Sequence, residues 1–374
     1  MPRPELIVFL RGVAMSGLLL LASCAATPEP TPAGDGWQTE SATAAGFDAP
    51  RLDALVAATL NDTTHLHAIL IVRHGKLVVE RYRDGNDRTV YSPFPHRAHF
   101  GPTVRHDTRS VGKSVIGLLV GIAQARGAIG ALDTPVLDYY PEYADLATPD
   151  RRRITLAHLL TMSNGLQWRE GEPGHDDEHY LYWKSPRTRY ALDRPIAQAP
   201  GEQWNYNSGG TTVLADIVAR TTKMPYPQFA DEALFAPLGI RDWEWTNDLH
   251  GEPMPFAGLR LRPRDMAKLG QLLLNRGQWR GRQVVPADWI DATVQPHIHT
   301  RVADFDYSYQ WWLGTAEWQG RHVRWISAFG NGGQRIFVVP ELDLVVVVTA
   351  GAYDDPQAGP RVNALLKAIV GTAH

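Results

Sequence analysis

Cysteine is almost missing from this chain: there is one in 374 residues, Cys24. No disulfide can form within the chain, so the fold rests on its core and not on cross-links. Lysine is scarce as well, with six against 31 arginines. The formal net charge is −3 and no run of like charge interrupts the sequence, which leaves nothing to hold nucleic acid. The histidines lack metal-ligand spacing. His65, His67, His74, His96 and His106 are scattered and read as surface or loop residues, and neither a metal nor a cofactor is expected. No apolar run approaches the roughly 20 residues that a membrane-spanning helix needs. The run near the N-terminus, Val13 to Ala22, is too short.

That short run does carry a targeting pattern. Arg3 and Arg11 flank its start, and it ends Leu21-Ala22-Ser23-Cys24. The segment resembles a bacterial lipoprotein signal, whose cysteine receives lipid and becomes the new N-terminus, and the chain's single cysteine falls at that position. An ordinary signal peptide with an incidental cysteine is the alternative. Residues 1–23 are thus expected to be a signal peptide, and 24–46, rich in Pro, Thr and Ala, a tether. Residues 47–374 form the body, lipid-anchored in the cell envelope on its periplasmic or extracellular face.

Among so few lysines, Lys113 stands out by its surroundings. The stretch Asp107 to Gly127, DTRSVGKSVIGLLVGIAQARG, is apolar on nearly every side, as a buried helix is. A lysine there is costly unless something uses it. Ser110 lies three residues earlier. Positions i and i+3 share a face and helical side chains tilt back toward the N-terminus, so the ammonium nitrogen should lie beside the serine hydroxyl. Burial and the positive end of the helix dipole both disfavour the charged form. A neutral amine can take the serine proton and make it a nucleophile. A helix-capping serine with a lysine reaching to solvent remains the other reading of these residues alone. A phosphate-binding loop ending Gly112-Lys113-Ser114 is excluded, because its first glycine would stand where the chain has Asp107.

Around this stretch the pattern alternates between strands and helices. Asp48 can cap a helix through Leu60. Two strands, 67–73 and 76–83, meet at the hairpin signal His74-Gly75. Helices are expected from Thr155, over 210–220, 264–275, 286–294 and 357–370, and strands over 307–314, 321–327, 335–339 and 344–350. Residues 170–187, acidic and aromatic without periodicity, read as a long functional loop. Tyr206 precedes the 210–220 helix, where a phenol can shuttle a proton or simply anchor a loop. The fold class is α+β: an antiparallel sheet flanked by N- and C-terminal helices, with an inserted, mostly helical lobe. The sheet lobe takes 47–105 and 300–374, the helical lobe takes 106–299, and a cleft between them is the natural site.

RSVGKS, ITLAHLLTMSNGL, PGEQWNYNSGG, SYQWW and FGNGGQRIFVVPELDLVVVV together resemble the serine β-lactamase and penicillin-binding-protein superfamily over about residues 48–370. The nearest branch is the class C-like serine hydrolases, which include esterases and 6-aminohexanoate-dimer hydrolases. The resemblance implies a β-lactamase/transpeptidase-like fold and hydrolysis of a small-molecule ester, amide or lactam through an acyl-enzyme on Ser110. Lys113 and Tyr206 would move protons, and the backbone N–H groups of Ser110 and Asn331 would form the oxyanion hole. Two motifs depart from the family. Y-x-N is here Tyr206-Asn207-Ser208, and K-T-G is here Ala328-Phe329-Gly330, with no lysine or histidine to meet a substrate carboxylate. Both favour ester or small amide substrates; a D-alanyl peptidase or class C-type β-lactamase is the alternative. Ser208, Tyr180, Tyr182, Trp312 and Gly330 are expected to line the pocket.

Overall fold

Residues 344–350, LVVVVTA, are apolar without alternation, the pattern of a strand covered on both faces. The computed structural model, which describes residues 35–61, 65–172 and 174–374, buries all seven of them. The expected signal segment and Cys24 lie outside the described residues. The elements that position the site are, in chain order, β1 (Gln38–Thr39), α1 (Ala49–Asn61), β2 (Leu66–Arg73), β3 (Lys76–Tyr82), β4 (His106–Asp107), α2 (Val111–Ala125), α3 (Asp177–Trp183), α4 (Ser208–Thr222), β5 (Trp243–Trp245), β6 (Leu259–Leu261), α5 (Pro263–Leu274), β7 (Ile298–His299), β8 (Asp306–Tyr307), β9 (Trp312–Trp318), β10 (Arg321–Gly330), β11 (Gln334–Val339), β12 (Leu344–Ala350) and α6 (Ala358–Val370).

Nine strands form one sheet in the order β1-β3-β2-β12-β11-β10-β9-β8-β7. Neighbours run antiparallel except β1, which lies parallel to β3. The β2–β3 hairpin turns at His74-Gly75, both with positive φ (52° and 72°), as a tight hairpin turn requires. Successive side chains point to opposite faces. Ile69 and Ile71 therefore pack with Leu52 and Val56 of α1 and Leu366 and Ile369 of α6. Leu70 and Val72 join the larger core with α2, α4 and α5. Fully burying a side chain of this size contributes roughly 1.5–3 kcal/mol, and each strand carries several. The expected α+β architecture is therefore the one observed, with a small three-stranded sheet, β4-β6-β5, inside the mostly helical lobe.

Two expectations are corrected. Composition places residues 35–46 in the tether, but they belong to the body. Asp35 pairs with Arg264 at 3.2 Å, Trp37 is buried in the core, and β1 adds to the sheet edge. The composition of 24–46 is uniform enough to hide one buried tryptophan. The second concerns histidines read as surface residues. His67 on β2 and His106 on β4 are buried and joined, Nδ1 of His67 to Nε2 of His106, at 2.8 Å. His67 also stacks on Phe100. Beside them burial opposes ionisation of Asp87, yet His106 and Arg260 hold its carboxyl down at about 2. A histidine facing inward from a strand looks like any other in sequence.

Burial, followed by the like tendency of its neighbour His106, pushes His67 down to about 3; burial likewise pushes His106 down to about 4. For a base, a folded pKa below the unfolded value near 6.5 means full stability above pH 6.5 and progressive loss as pH falls. One such group is worth about 1.4 kcal/mol per pH unit inside that window. His67→Gln should lower stability at pH 7.5, and the gap to wild type in urea unfolding should shrink steadily between pH 6.5 and 4. A gap that stays constant with pH would show that His67 is not held neutral by the fold.

Candidate active site

Ser110 stands at the N-terminus of α2, at the point where the chain leaves β4. The turn is forced: Arg109 has φ 52°, in the left-handed region that a non-glycine residue seldom adopts. Asp107 holds it in place, one carboxylate oxygen accepting from the backbone N–H of Arg109 at 3.0 Å and the other from that of Val90 at 2.7 Å. Residue 107, whose acid excludes phosphate binding, thus has a structural task. The helix behind Ser110 is pressed against its neighbours. A Cβ on Gly117 would come within 2.6 Å of the carbonyl oxygen of Tyr309. The hydroxyl of Ser114 donates to the carbonyl of Gln310 at 2.6 Å, and the Gln310 side chain in turn receives Thr211 of α4 at 2.7 Å.

Lys113 lies where the i, i+3 spacing requires. Its Nζ donates to Ser110 Oγ at 2.8 Å and to the carbonyl oxygen of Phe256 at 3.0 Å, and the side chain is 2 % exposed. The solvent-facing reading of the lysine is thereby corrected. Tyr206 completes the group, with its ring face 4.9 Å from Nζ and its phenol in hydrogen-bond contact with Ser110. Burial, then the nearby Glu170, raise the Tyr206 phenol well above its usual pKa; the Ser110 hydrogen bond opposes them only in part. The phenol is therefore held as a proton donor. Asn207 caps α4, its side chain accepting from the backbone N–H of Gly210 at 2.9 Å, and so fixes Tyr206 at the helix start.

Residues 170–187, expected as a loop, contain α3 (Asp177–Trp183), and this changes the site. Asp176 caps the helix by accepting from the N–H groups of Glu178 and His179. The cap swings Glu178 inward, its Oε2 to 3.4 Å from Lys113 Nζ. Burial works against ionisation of Glu178, but Lys113 and the hydrogen bonds with Glu170, Ser208 and Tyr91 together outweigh it and keep the carboxyl below its ordinary range. Glu170 lies beside it, 3.9 Å from Lys113. Burial and then Glu178 push Glu170 up to about 8. The hydrogen bonds agree. Ser208 Oγ lies 2.8 Å from Glu170 Oε1 and 2.6 Å from Glu178 Oε2, but a hydroxyl has one hydrogen to give. One of the two contacts therefore needs a proton on Glu170. Its Oε2 already accepts from Ser208 N–H and Trp168 Nε1, each at 2.9 Å, which leaves Oε1 to carry that proton. Neither glutamate was singled out from sequence. The available signal was Asp176-Asp177-Glu178, an N-cap residue with acidic residues in the first turn.

Ser110, Glu170, Glu178, Tyr206, Gly330 and Asn331 line a cavity of about 670 Å³, so the sequence-derived residues Ser110, Tyr206, Gly330 and Asn331 do converge there. Gly330 is required by a close approach: a Cβ would fall 2.3 Å from the carbonyl oxygen of Thr108. Four expected lining residues are corrected. Ser208 is fully buried behind the cavity, and Trp312 is buried with its ring stacked on Tyr206 at 5.8 Å. Tyr180 packs toward His175 and Tyr190, and Tyr182 against Tyr91. Ser208, Trp312 and Tyr182 stand behind residues that line the cavity, and Tyr180 packs on residues outside its lining. Among the described residues no cluster of acidic, histidine or cysteine side chains could hold a metal ion.

A serine, a buried lysine and a tyrosine on one cavity define a serine hydrolase of the acyl-enzyme type. The beta-lactamase family model matches residues 53–369, and the chain belongs to that family. A 6-aminohexanoate-dimer hydrolase of Paenarthrobacter ureafaciens is 27% identical over 333 residues, covering 82% of this chain and 79% of that protein. Two solved structures share the fold. One is EstCE1, a hydrolase with promiscuous acyltransferase activity, with TM-score 0.67, 17% identity, and 86% and 98% of the two chains covered. The other is a family VIII carboxylesterase, with TM-score 0.64, 17% identity, and 85% and 97% covered.

If Glu178 is the counter-charge of Lys113, Glu178→Gln should lower kcat for ester hydrolysis at least tenfold, since it leaves a buried ammonium without an anion. Glu170 is protonated below about pH 8 and ionises above it, next to a second carboxylate. The wild-type rate should therefore fall as pH rises through about 8, and Glu170→Gln should lack that fall. A pH–rate profile of both variants checks this; an alkaline limb kept in Glu170→Gln would assign it to another group.

Proposed function

We propose that the protein hydrolyses carboxylic esters or small amides through an acyl-enzyme on Ser110. The observation that carries this reading is the 2.8 Å contact from Lys113 Nζ to Ser110 Oγ at the wall of the cavity. Ser110 Oγ attacks the substrate carbonyl and passes its proton to Lys113, as the lysine hands one of its own to the ionised Glu178 carboxylate 3.4 Å away. The oxyanion is met by the backbone N–H groups of Ser110 and Asn331, each worth about 3–4 kcal/mol where such donors have been removed. Tyr206, kept neutral by its surroundings, gives a proton to the departing alcohol or amine. The proton held on Glu178 returns through Lys113 to Tyr206; water then attacks the acyl carbonyl, its proton passes into the same relay, and Ser110 Oγ takes a proton from it as the acyl bond breaks. Against a D-alanyl peptidase or β-lactamase stands Ser208: it occupies the asparagine position, and its hydroxyl is taken by Glu170 and Glu178.

The N-terminal pattern supports a second proposal, that Cys24 carries lipid and tethers the enzyme to a membrane in the cell envelope. Cys24→Ala should move the expressed protein from the membrane to the soluble fraction and abolish palmitate labelling; labelling that persists would overturn it.

Mature enzyme should turn over 4-nitrophenyl butyrate faster than nitrocefin, and Ser110→Ala should lose both activities by at least 10³-fold with an unchanged melting temperature. A fluorophosphonate probe should label Ser110. A covalent adduct on a different serine would overturn the mechanism, and faster nitrocefin turnover would favour the lactamase reading.

A further inference from the structure

The two N–H groups assigned to the oxyanion stand on separate turns. Ser110 follows the left-handed turn at Arg109 after β4, and Asn331 opens the turn that leaves β10. Among the described residues neither N–H donates to a backbone carbonyl. No helix or sheet bond therefore fixes either donor. Such a donor lowers a barrier only if it is already in place when charge develops, and a displacement near 1 Å can cost about 10²-fold in rate.

The segment between β12 and α6 touches both turns. The Tyr353 ring lies 4.3 Å from the Arg109 guanidinium, whose Nη2 donates to the Arg88 carbonyl oxygen at 2.8 Å. The same ring bears on the second turn. Gly332 has φ 83°, and a Cβ there would fall 2.7 Å from Cδ1 of Tyr353. The ring is fixed in turn by its hydroxyl, which donates to Oδ1 of Asp87 at 2.8 Å. The other oxygen of that buried carboxylate is paired with Arg260 at 2.5 Å. Burial, then Asp87, raise the phenol well above its usual pKa, so it stays a donor and does not shuttle protons. Tyr353 is not among the residues that line the cavity.

Asp354 adds a second link. It has φ 65°, in the region that favours glycine. Its N–H donates to Asn331 Oδ1 at 2.8 Å, and its Oδ1 accepts from Asn331 Nδ2 at 2.9 Å. Its other carboxylate oxygen pairs with Arg88. That ion pair is exposed and contributes little by itself. The reciprocal bonds do more, because they hold Asn331 in one orientation.

We propose that Tyr353 is a positioning residue for catalysis: with Asp354 it clamps the Arg109 turn to the Asn331-Gly332 turn and sets the spacing of the two oxyanion donors. The proposal rests on the acyl-enzyme reading of Ser110.

The test compares Tyr353→Leu, Tyr353→Phe and Asp354→Ala with wild type. The substrate is 4-nitrophenyl butyrate and the inhibitor 1,1,1-trifluoropentan-2-one, which carries the same propyl carbonyl group. Ser110 Oγ adds to the ketone carbon, the carbonyl oxygen becomes an alkoxide that needs the same donors, and the serine proton passes to Lys113 and Glu178. Rates are taken per active site, counted by complete fluorophosphonate labelling of Ser110. Tyr353→Leu should lower kcat by about 30-fold or more, keep KM within about threefold, and raise the ketone Ki in step with the loss in kcat/KM. Tyr353→Phe keeps the ring and should retain at least about a third of the wild-type kcat. Asp354→Ala, at an exposed position, should lower kcat by about three- to tenfold with a matching rise in Ki, and it decides the matter if Tyr353→Leu does not fold. Wild-type kcat in Tyr353→Leu or Asp354→Ala, or a loss confined to KM with the ketone Ki unchanged, overturns the proposal and leaves the hydrolase reading standing. No labelling of Ser110 in wild type would overturn the hydrolase reading, and this proposal with it.

Discussion

A lysine ammonium in a protein interior must be surrounded by partners or it destabilises the fold, and Lys113 gathers its partners from four separate parts of the chain. Ser110 comes from its own helix, Glu178 from α3, the Phe256 carbonyl from the segment before β6, and the Tyr206 ring from the start of α4. Removing the partner of a buried charge typically costs about 3–5 kcal/mol. That penalty ties the three segments to α2 and holds the reacting groups in register. The same buried charge serves folding and chemistry, so the site cannot loosen without strain on the lobe around it. Lys268 makes an instructive contrast. It is just as buried and pairs with Asp265 at 2.9 Å, but among the described residues its other contact is a backbone carbonyl and no hydroxyl nucleophile is bonded to it. Burial alone does not make a lysine catalytic; the neighbour it is given does.

The two glutamates divide the labour by environment. Glu178 touches Lys113 and stays ionised; Glu170, farther from the ammonium and beside an existing carboxylate, keeps its proton. Two carboxyls so close cannot both ionise without strong repulsion. Ser208 bridges them, so proton, hydroxyl, carboxylate and ammonium form a continuous chain from Glu170 to Ser110. The serine at the third position of the tyrosine motif takes its meaning here. An asparagine would present an amide to the substrate, whereas this serine turns away from the cavity and connects the acid pair.

Much of this was legible in the chain, for identifiable reasons. The Ser110–Lys113 pairing follows from helix geometry, the β2–β3 hairpin from His74-Gly75, and the closing strands and helix from unbroken apolar runs. These are local patterns with a fixed period. What the sequence hid depends on contacts between distant segments. Glu178 reaches Lys113 across 65 residues, and only the cap at Asp176 hinted at the helix that carries it. Trp37 lay inside a stretch whose composition resembles a linker. His67 and His106 face inward on strands 39 residues apart. Ser208, Tyr180, Tyr182 and Trp312 were close to the site in sequence or type, but the turn of α4 and the stacking of aromatics direct them elsewhere.

Arg335 shows how a charge can stand at a site without appearing in the motif beside it. In a sheet, the residue opposite a given position is as near to the site as the position itself, because paired strands are only about 5 Å apart. Reading along β10 finds Ala328-Phe329-Gly330 and no cation. Reading across to β11 finds a guanidinium on the same face. Phe329 is part of that arrangement: its ring supports the flat guanidinium by a cation–π contact, which a small residue at 329 could not do. A lysine at 335 would carry the same charge but lose the stacking and the two-pronged edge. The scarcity of lysine in the chain therefore does not leave the cavity without a positive wall.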